Sequence, residues 1–172
     1  MALKRSLAKP YESEIEFDTS TGSPIPNYQG WQVITALEEN NLRATYKKRF
    51  PGIIERTKTC TDVYNCHGMV FASRRSKIEK ASTVRQILRD DAYIQINDEK
   101  DVLPGDVVLY VVQGAIDHSG VVINTAPIAQ NMGPLILSKW AWWLEIIHYM
   151  KECPYYMDDQ LNVKVEYHRV KR

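Results

Sequence analysis

The chain has 172 residues, which is long enough for one domain that buries a hydrophobic core without disulfide bonds. Hydrophobic residues make up 44% of the sequence and charged residues 25%, the balance of an ordinary globular protein. The formal net charge is +1, so the composition gives no reason to expect binding to nucleic acid or to a membrane surface.

Signals for a cellular compartment are few in this sequence. Residues 1–10 are polar and basic and lack the apolar segment of a secretory signal. No stretch approaches the roughly 20 apolar residues that a membrane span needs. The three cysteines are an odd number, which argues against a disulfide framework and for a reducing compartment. We therefore expect the protein in the cytoplasm, with export by a signal-independent route left open.

The first half of the chain combines a polar segment with helical patterns. Residues 1–30 are rich in Ser, Thr, Gly and Pro and have too few apolar residues to fold alone. They predict an extended arm that lies on a domain formed by residues 31–172. Hydrophobic spacing and capping residues then predict three helices. These helices are predicted at residues 31–49, at residues 66–76, and from Ser82 onward with Ser82 or Thr83 as the N-cap.

The second half of the chain is mostly strand-like. Runs of β-branched and aromatic residues, separated by turns that contain Gly or Pro, predict strands. These strands are predicted at residues 93–96, 107–112, 118–123, 135–140 and 162–170. An aromatic-rich segment at residues 142–151 predicts a further helix, which Pro154 would end. Because helices come first and strands follow, we predict an α+β fold with helices packed on an antiparallel sheet.

Cys66 stands where a polar, turn-prone run gives way to the small and apolar run of the second predicted helix. The start of a helix leaves backbone N–H groups unpaired and carries partial positive charge, which favours the thiolate form of a cysteine. The thiolate is the nucleophilic form, so Cys66 is a candidate catalytic residue. Gly68 would allow close approach of a backbone or a substrate behind the sulfur. The alternative is that Cys66 is a small buried hydrophobic residue.

His118 is the candidate partner of this cysteine. It follows a tight turn and begins a predicted strand, at the rim of a sheet where the N-terminus of a packed helix can also lie. An imidazole there could take the thiol proton and later return a proton to the leaving amine. A third polar group would orient the ring, and helix-terminal N–H groups would form part of an oxyanion hole.

Three segments carry this pattern along the chain, at residues 65–70, 104–110 and 118–123. The first is a Cys-His-Gly helix start, the second a Gly-Asp-hydrophobic strand, and the third a strand that begins His-Ser-Gly. Their order and spacing resemble the NlpC/P60 cysteine peptidases and the related CHAP amidases of the papain-like group. The resemblance covers about residues 60–140.

The resemblance implies a papain-like NlpC/P60 fold in which residues 31–172 form a single catalytic domain. It also implies that Cys66 is the nucleophile and His118 the general base of a peptidase or amidase that needs no metal or other cofactor. Members typically cleave peptidoglycan stem peptides or other amide and isopeptide bonds, so a peptide or amide substrate is expected. Nucleic acid and membrane are not expected as partners, and no protein partner is indicated.

Three positions depart from the common family pattern. Asn65 stands where many members have Asp, His67 where many have Ser, and Ser119 where many have Val. These departures retain the nucleophile and the base. They suggest a divergent branch whose substrate need not be peptidoglycan.

The third catalytic residue is open at this stage. In the family it lies on the strand after the base, where this chain offers Ser138 and Lys139, neither of which is a usual orienting residue. His148 is the preferred residue. Glu145, one turn earlier on the predicted helix, is an alternative, and a main-chain carbonyl is another.

Three further residues could contact the substrate or the oxyanion: His67, Tyr64 and Trp140. Each has an ordinary structural alternative. His67 could be a partly exposed surface residue, and Tyr64 and Trp140 could belong to the core. A separate hypothesis is that residues 24–26 of the arm lie across the active site as an inhibitory segment.

Three other kinds of protein fit parts of the pattern. Cys60, Cys66, His67 and Cys153 could bind zinc, although the gap between the first two is wider than in common structural sites. A non-catalytic papain-like module would keep the fold without an activated thiol, and an acyltransferase would use the same dyad with an amine acceptor. We carry forward a cysteine hydrolase that acts through a thioester on Cys66, with Cys60 and Cys153 as bystanders.

Overall fold

The computed structural model describes residues 15–125, 131–140, 144–157 and 162–171. Over these residues the protein is α+β, with a few helices and one seven-stranded antiparallel sheet. The α-helices are α1 (Ala36–Arg49), α2 (Cys66–Phe71) and α3 (Ala81–Asp90). The strands are β1 (Ile54–Glu55), β2 (Tyr93–Ile96), β3 (Val107–Val112), β4 (Ala115–Asn124), β5 (Leu135–Lys139), β6 (Glu145–Tyr149) and β7 (Val163–Val170). Short 3₁₀ turns occur at Glu99–Asp101 and Met150–Glu152.

The strand order in the sheet is β1-β6-β5-β4-β3-β7-β2. Every residue of β3 is buried, because both faces of this strand are covered. Successive side chains of a strand point to opposite faces. Val107, Leu109 and Val111 therefore join the apolar cluster under α2 and α3, whereas Val108 and Tyr110 join a second cluster on the opposite face.

The arm is anchored to the domain by an apolar contact and by backbone pairing. Ile25 is buried in the cluster of α3 and β3, and the side chain of Gln86 donates a hydrogen bond to the carbonyl of Pro24. Tyr28 forms an isolated antiparallel bridge with Lys77. The part of the arm that the structure describes therefore packs against the domain, but it is not extended throughout, because a tight turn closes between Asp18 and Pro24.

All the predicted strands are confirmed, but the predicted helix at residues 142–151 is wrong in its described part. Glu145–Tyr149 is strand β6, which pairs with β5 on one side and β1 on the other. The run Ile146-Ile147 is β-branched, which suits a sheet. A short apolar run fits either structure by its pattern alone, and pairing between two strands decides this one. Residues 142 and 143 lie outside the described residues.

The predicted helix boundaries also shift. α1 begins at Ala36 rather than near Trp31, because the side chains of Thr35 and Glu38 form a capping box. α2 ends at Phe71, and Ser73 and Arg74 follow with φ of 50° and 65°, a left-handed conformation that ends a helix. α3 begins at Ala81, so neither Ser82 nor Thr83 is its N-cap.

The longest described helix is α1, with 14 residues. In the described part of the chain, no helix combines the length and the apolar character needed to cross a bilayer.

Candidate active site

Cys66 is the first residue of α2, and Asn65 fixes the start of this helix. The Oδ1 atom of Asn65 accepts hydrogen bonds from the backbone N–H of Gly68 at 2.9 Å and of Ile78 at 3.1 Å. Its Nδ2 atom donates to the carbonyl of Ile78 at 2.8 Å. An aspartate could not make the last bond, because an ionised carboxylate only accepts. The amide thus caps the helix and ties it to a second segment of chain.

Gly68 lets that second segment come close. A Cβ atom at this position would lie 1.7 Å from the carbonyl oxygen of Ser76, which no side chain could tolerate. The close approach expected behind the sulfur is therefore made by backbone. Cys66 is held on a short helix whose position is set by contacts with residues 76–78.

His118 reaches the cysteine because β4 contains a bulge. Tyr110 of β3 is opposite His118, but the next residue, Val111, is opposite Ile116, so Asp117 is an extra residue on β4. A bulge changes the direction of neighbouring side chains. Ile116 therefore packs under the helices, whereas His118 packs against the rings of Tyr110 and Tyr155. The Tyr155 ring is stacked on the imidazole, with centroids 4.7 Å apart and an interplanar angle of 14°.

The thiol and the imidazole influence each other directly. Burial raises the pKa of Cys66, but the charge and hydrogen-bonding capacity of His118, followed by the backbone N–H groups of Ser119 and His67, lower it below its ordinary value. Burial lowers the pKa of His118, and the neighbouring Cys66 opposes this effect. Neither ring nitrogen of His118 has a well-aligned hydrogen bond to a described residue. The imidazole is therefore not committed elsewhere.

Cys66 lines a cleft of about 300 Å³. Polar side chains dominate the lining of this cleft, which includes Asp62, His67, Lys77, Glu79 and Asp117. Tyr155, which stacks on His118, lines the same cleft. Cys66 and the ring that stacks on His118 thus share one solvent-connected space.

His67 is buried rather than partly exposed, so the surface alternative for this residue is wrong. Its Nδ1 atom lies 2.9 Å from the hydroxyl oxygen of Ser119 on β4. Burial lowers the pKa of His67 to about 4, although Glu79 and Asp117 act in the opposite direction. His67 is therefore a neutral polar group of the cleft at neutral pH.

His148 is buried in the sheet and satisfied by other partners than His118. Its Nδ1 atom donates to the carbonyl of Tyr149 at 2.7 Å, and its Nε2 atom accepts from the hydroxyl of Ser138 at 2.8 Å. Trp140 in turn donates to that hydroxyl at 3.0 Å. Both ring nitrogens are thus occupied, and the structure does not bring His148 into hydrogen-bond contact with His118.

Glu145 contacts the segments on either side of Cys66 instead of His118. Its carboxylate accepts hydrogen bonds from the Tyr64 hydroxyl at 2.8 Å and from the guanidinium of Arg74. Because Glu145 and His148 are three positions apart on a strand, they face opposite sides of the sheet. In the described part of the chain, no side chain or carbonyl forms a hydrogen bond that orients the His118 ring.

Tyr64 and Trp140 are buried and do not belong to the lining of the cleft. The ring of Tyr64 lies under the ammonium group of Lys139, with 4.8 Å between the nitrogen and the ring centroid. Trp140 packs in an apolar cluster with Phe50 and Leu144. Residues 24–26 of the arm do not line the cleft either, because Ile25 is held in the cluster of α3. The inhibitory-segment hypothesis therefore does not hold.

The other cysteines differ from Cys66 in their ionisation. Burial raises the pKa of Cys60 to about 11 and that of Cys153 to about 12. Across the described residues, no group of three or more His, Cys, Asp or Glu side chains is arranged to hold a metal ion. The four residues considered for zinc are all described, and they do not form such a group.

Two residues of the site had not been expected from the sequence. Tyr155 follows a strand-and-turn segment that is distant in the chain, and no local pattern relates it to His118. Asp117 could have been suspected from the turn before β4, but only the register between β3 and β4 identifies it as a bulge residue.

Comparisons of the chain with known protein families, with characterised proteins and with solved structures give no match.

Proposed function

We propose that this protein is a papain-like cysteine hydrolase, of the NlpC/P60 type, that cleaves an amide or peptide bond through a thioester on Cys66. The observation that carries the proposal is the pairing of Cys66, at the start of α2 and in the lining of a cleft, with the uncommitted imidazole of His118. A helix start packed on the strand that bears the base is also the arrangement of a papain-like fold.

The proposed reaction begins when His118 takes the proton of the Cys66 thiol. The thiolate attacks the carbonyl carbon of the amide, a C–S bond forms, and the carbonyl π electrons move to oxygen. The C–N bond then breaks, and the amine leaves with the proton from His118. Water, deprotonated by His118, attacks the thioester and releases a carboxylic acid and the regenerated thiol.

Backbone groups at the start of α2 would stabilise the oxyanion. The first N–H groups of an α-helix have no intrahelical partner, and two of them belong to Cys66 and His67. The side chain of His67 is neutral and polar and lines the same cleft, so it could contact the substrate. His118 would be oriented by packing between Tyr110 and Tyr155.

The pH dependence of alkylation tests this proposal. Cys66 should react with iodoacetamide well below about pH 8, because His118 and the backbone N–H groups lower its pKa. In His118→Ala the labelling curve should move to higher pH, because the stabilising imidazole is gone. Mass spectrometry separates Cys66 from Cys60 and Cys153, whose raised pKa values make them internal references.

The matched control is His168→Asn, which removes a histidine of β7 that interacts with Glu166 rather than with Cys66. Its labelling curve for Cys66 should coincide with that of the wild type. Labelling of Cys66 only above about pH 8.5, unchanged in His118→Ala, would contradict the dyad and would favour a non-catalytic binding module.

A further inference from the structure

The cleft that contains Cys66 carries more negative than positive charge. Lys77 is its one described cation, and this ammonium group forms an ion pair with Asp62 and lies 5.6 Å from the ring centroid of Tyr28. Glu79 and Asp117 are the remaining charged side chains of the described lining. Neither of them has an ion-pair partner within the described part of the chain. Among the described residues, two negative charges of the cleft are therefore not compensated by a cation.

The two carboxylates are available to a ligand. Glu79 accepts one hydrogen bond, from the Tyr28 hydroxyl at 2.8 Å, and both residues are exposed to solvent. Asp117 lies at the bulge in β4, and its carboxylate accepts no hydrogen bond from a described residue. Within the described residues, the cleft therefore contains an unpaired carboxylate one position before His118.

Their field reaches the site of reaction. Both Glu79 and Asp117 act electrostatically on His67, the residue that follows the nucleophile. His67 does not neutralise these two negative charges, since its side chain is neutral. Lys77, the one described cation of the cleft, is already paired with Asp62. In a partly enclosed cleft, like charges concentrate their field, raise the local concentration of counter-ions and repel ions of their own sign.

We propose that the substrate carries a primary ammonium group, such as a free α-amino group or a lysine-like side chain, that binds against Glu79 and Asp117 beside the amide attacked by Cys66. The inference rests on the proposed function, and it names the substrate class of that site. A volume of about 300 Å³ suits one or two residues of a peptide rather than a long segment. A substrate with a carboxylate at this position would be rejected.

Two thiol reagents of similar size and opposite charge test the inference. The 2-aminoethyl and 2-sulfonatoethyl methanethiosulfonates each form a mixed disulfide with the thiolate and release methanesulfinate. The rate constant of the aminoethyl reagent at Cys66 is divided by that of the sulfonatoethyl reagent. This ratio is then normalised to the same ratio for free cysteine. This ratio cancels the thiolate fraction and the exposure of the sulfur, so it reports charge selection separately from the activation of the thiol.

The normalised ratio should be about ten at low salt. It should fall towards one as the ionic strength rises, because salt screens the carboxylates. Asp117→Asn and Glu79→Gln should each lower the ratio by about two- to fivefold, and the double variant should bring it near one. Asp98→Asn is the matched control, because it removes an exposed carboxylate outside the cleft, and the new amide still caps Glu99–Asp101. Its ratio should equal that of the wild type.

The outcomes separate the inference from the proposed function. A normalised ratio at or below one in the wild type, or one unchanged in the double variant, would overturn the ammonium substrate. The proposed function would survive that result if the labelling curve still depended on His118. Failure of Cys66 to react with either reagent would show that the cleft does not open to the sulfur, and both would fall.

Discussion

Asn65 illustrates how one side chain can set the geometry of a reactive group. Its amide caps α2 at Gly68 and holds both backbone groups of Ile78, so the helix start and the segment at residues 76–78 move as one unit. Because Cys66 is the next residue, the position of the sulfur depends on this amide. An ionised aspartate could not hold the carbonyl of Ile78, and this gives a physical reason for asparagine at position 65.

Asn65→Ala should lower the free energy of unfolding by about 2 to 3 kcal/mol, because it removes a helix cap and leaves the two backbone groups of Ile78 without partners. Asn65→Asp is the matched variant, since it keeps the accepted bonds and loses only the donated one. Its loss should be smaller. Urea unfolding measures both variants. An Asn65→Asp variant as stable as the wild type would contradict the role of the Nδ2 bond, and equal losses for the two variants would contradict the role of the accepted bonds that cap α2.

At the scale of single residues, the sequence predicts site residues that combine a reactive side chain with a position at the start of a helix or strand. Cys66 and His118 were both proposed because each stands at the start of a predicted element, and the structure brings them together. Tyr155 and Asp117 could not be predicted in this way. The stacking of Tyr155 and the bulge at Asp117 depend on contacts between segments, which no local pattern in the sequence shows. His148 was proposed for its residue type, but burial and two hydrogen bonds within the sheet occupy it.

At the scale of elements, strand β6 holds the short helix α2 from both sides. Glu145 of β6 accepts a hydrogen bond from Tyr64, two positions before Cys66, and pairs with Arg74, three positions after the helix ends. Arg74 and Tyr64 lower the pKa of the Glu145 carboxyl, against the effect of its burial. A single carboxylate thus fixes the segments that enter and leave α2.

Glu145→Gln should lower the free energy of unfolding by about 1 to 2 kcal/mol, because it removes the buried partner of Arg74 while keeping an acceptor for Tyr64. Glu39→Gln is the control, since it removes a carboxylate from a partly exposed ion pair of α1, and the cation of that pair, Arg43, keeps Glu55 as a second partner. That change should cost less than about 0.5 kcal/mol. Urea unfolding compares the two variants. A smaller loss of stability for Glu145→Gln than for Glu39→Gln would contradict the role of Glu145 in fixing the two segments that flank α2.

Strand β6, which carries Glu145, is also the element for which the helix predicted from the sequence is wrong. Strands such as Val107–Val112 were predictable, because turns bound a continuous run of β-branched residues. The aromatic-rich segment before Pro154 fitted a helix equally well by composition. Its pairing with β5, the preceding strand, and with β1, which is far from it in the chain, makes it a strand.

At the scale of the whole molecule, burial of histidine makes folding sensitive to acid. The pKa of each of the four histidines lies below its ordinary value in the folded protein, and for His67 and His148 burial lowers it to about 4. His67 and His148 are therefore neutral in the folded protein but become charged in the unfolded chain below about pH 6.5. Their contribution to stability is therefore complete above that pH and is lost as the pH falls towards 4.

The free energy of unfolding should fall by about 2 kcal/mol for each of His67 and His148 between about pH 6.5 and pH 5. Urea titrations across this range measure the decline. His148→Gln removes one of the titrating groups, so its stability should depend less steeply on pH than that of the wild type. A free energy that stays constant from pH 7 to pH 5 would contradict the burial of neutral histidines.

The place of β7 in the sheet has a consequence for biosynthesis. β7 is the last strand of the sheet in chain order, yet it lies between β2 and β3 and is the only described strand that pairs with β2. A ribosome therefore releases β2 and β3 long before the strand that joins them exists. Until then both carry open edges, which favour association with other chains. A message cut short before codon 163 would thus produce an aggregation-prone chain rather than a smaller working protein.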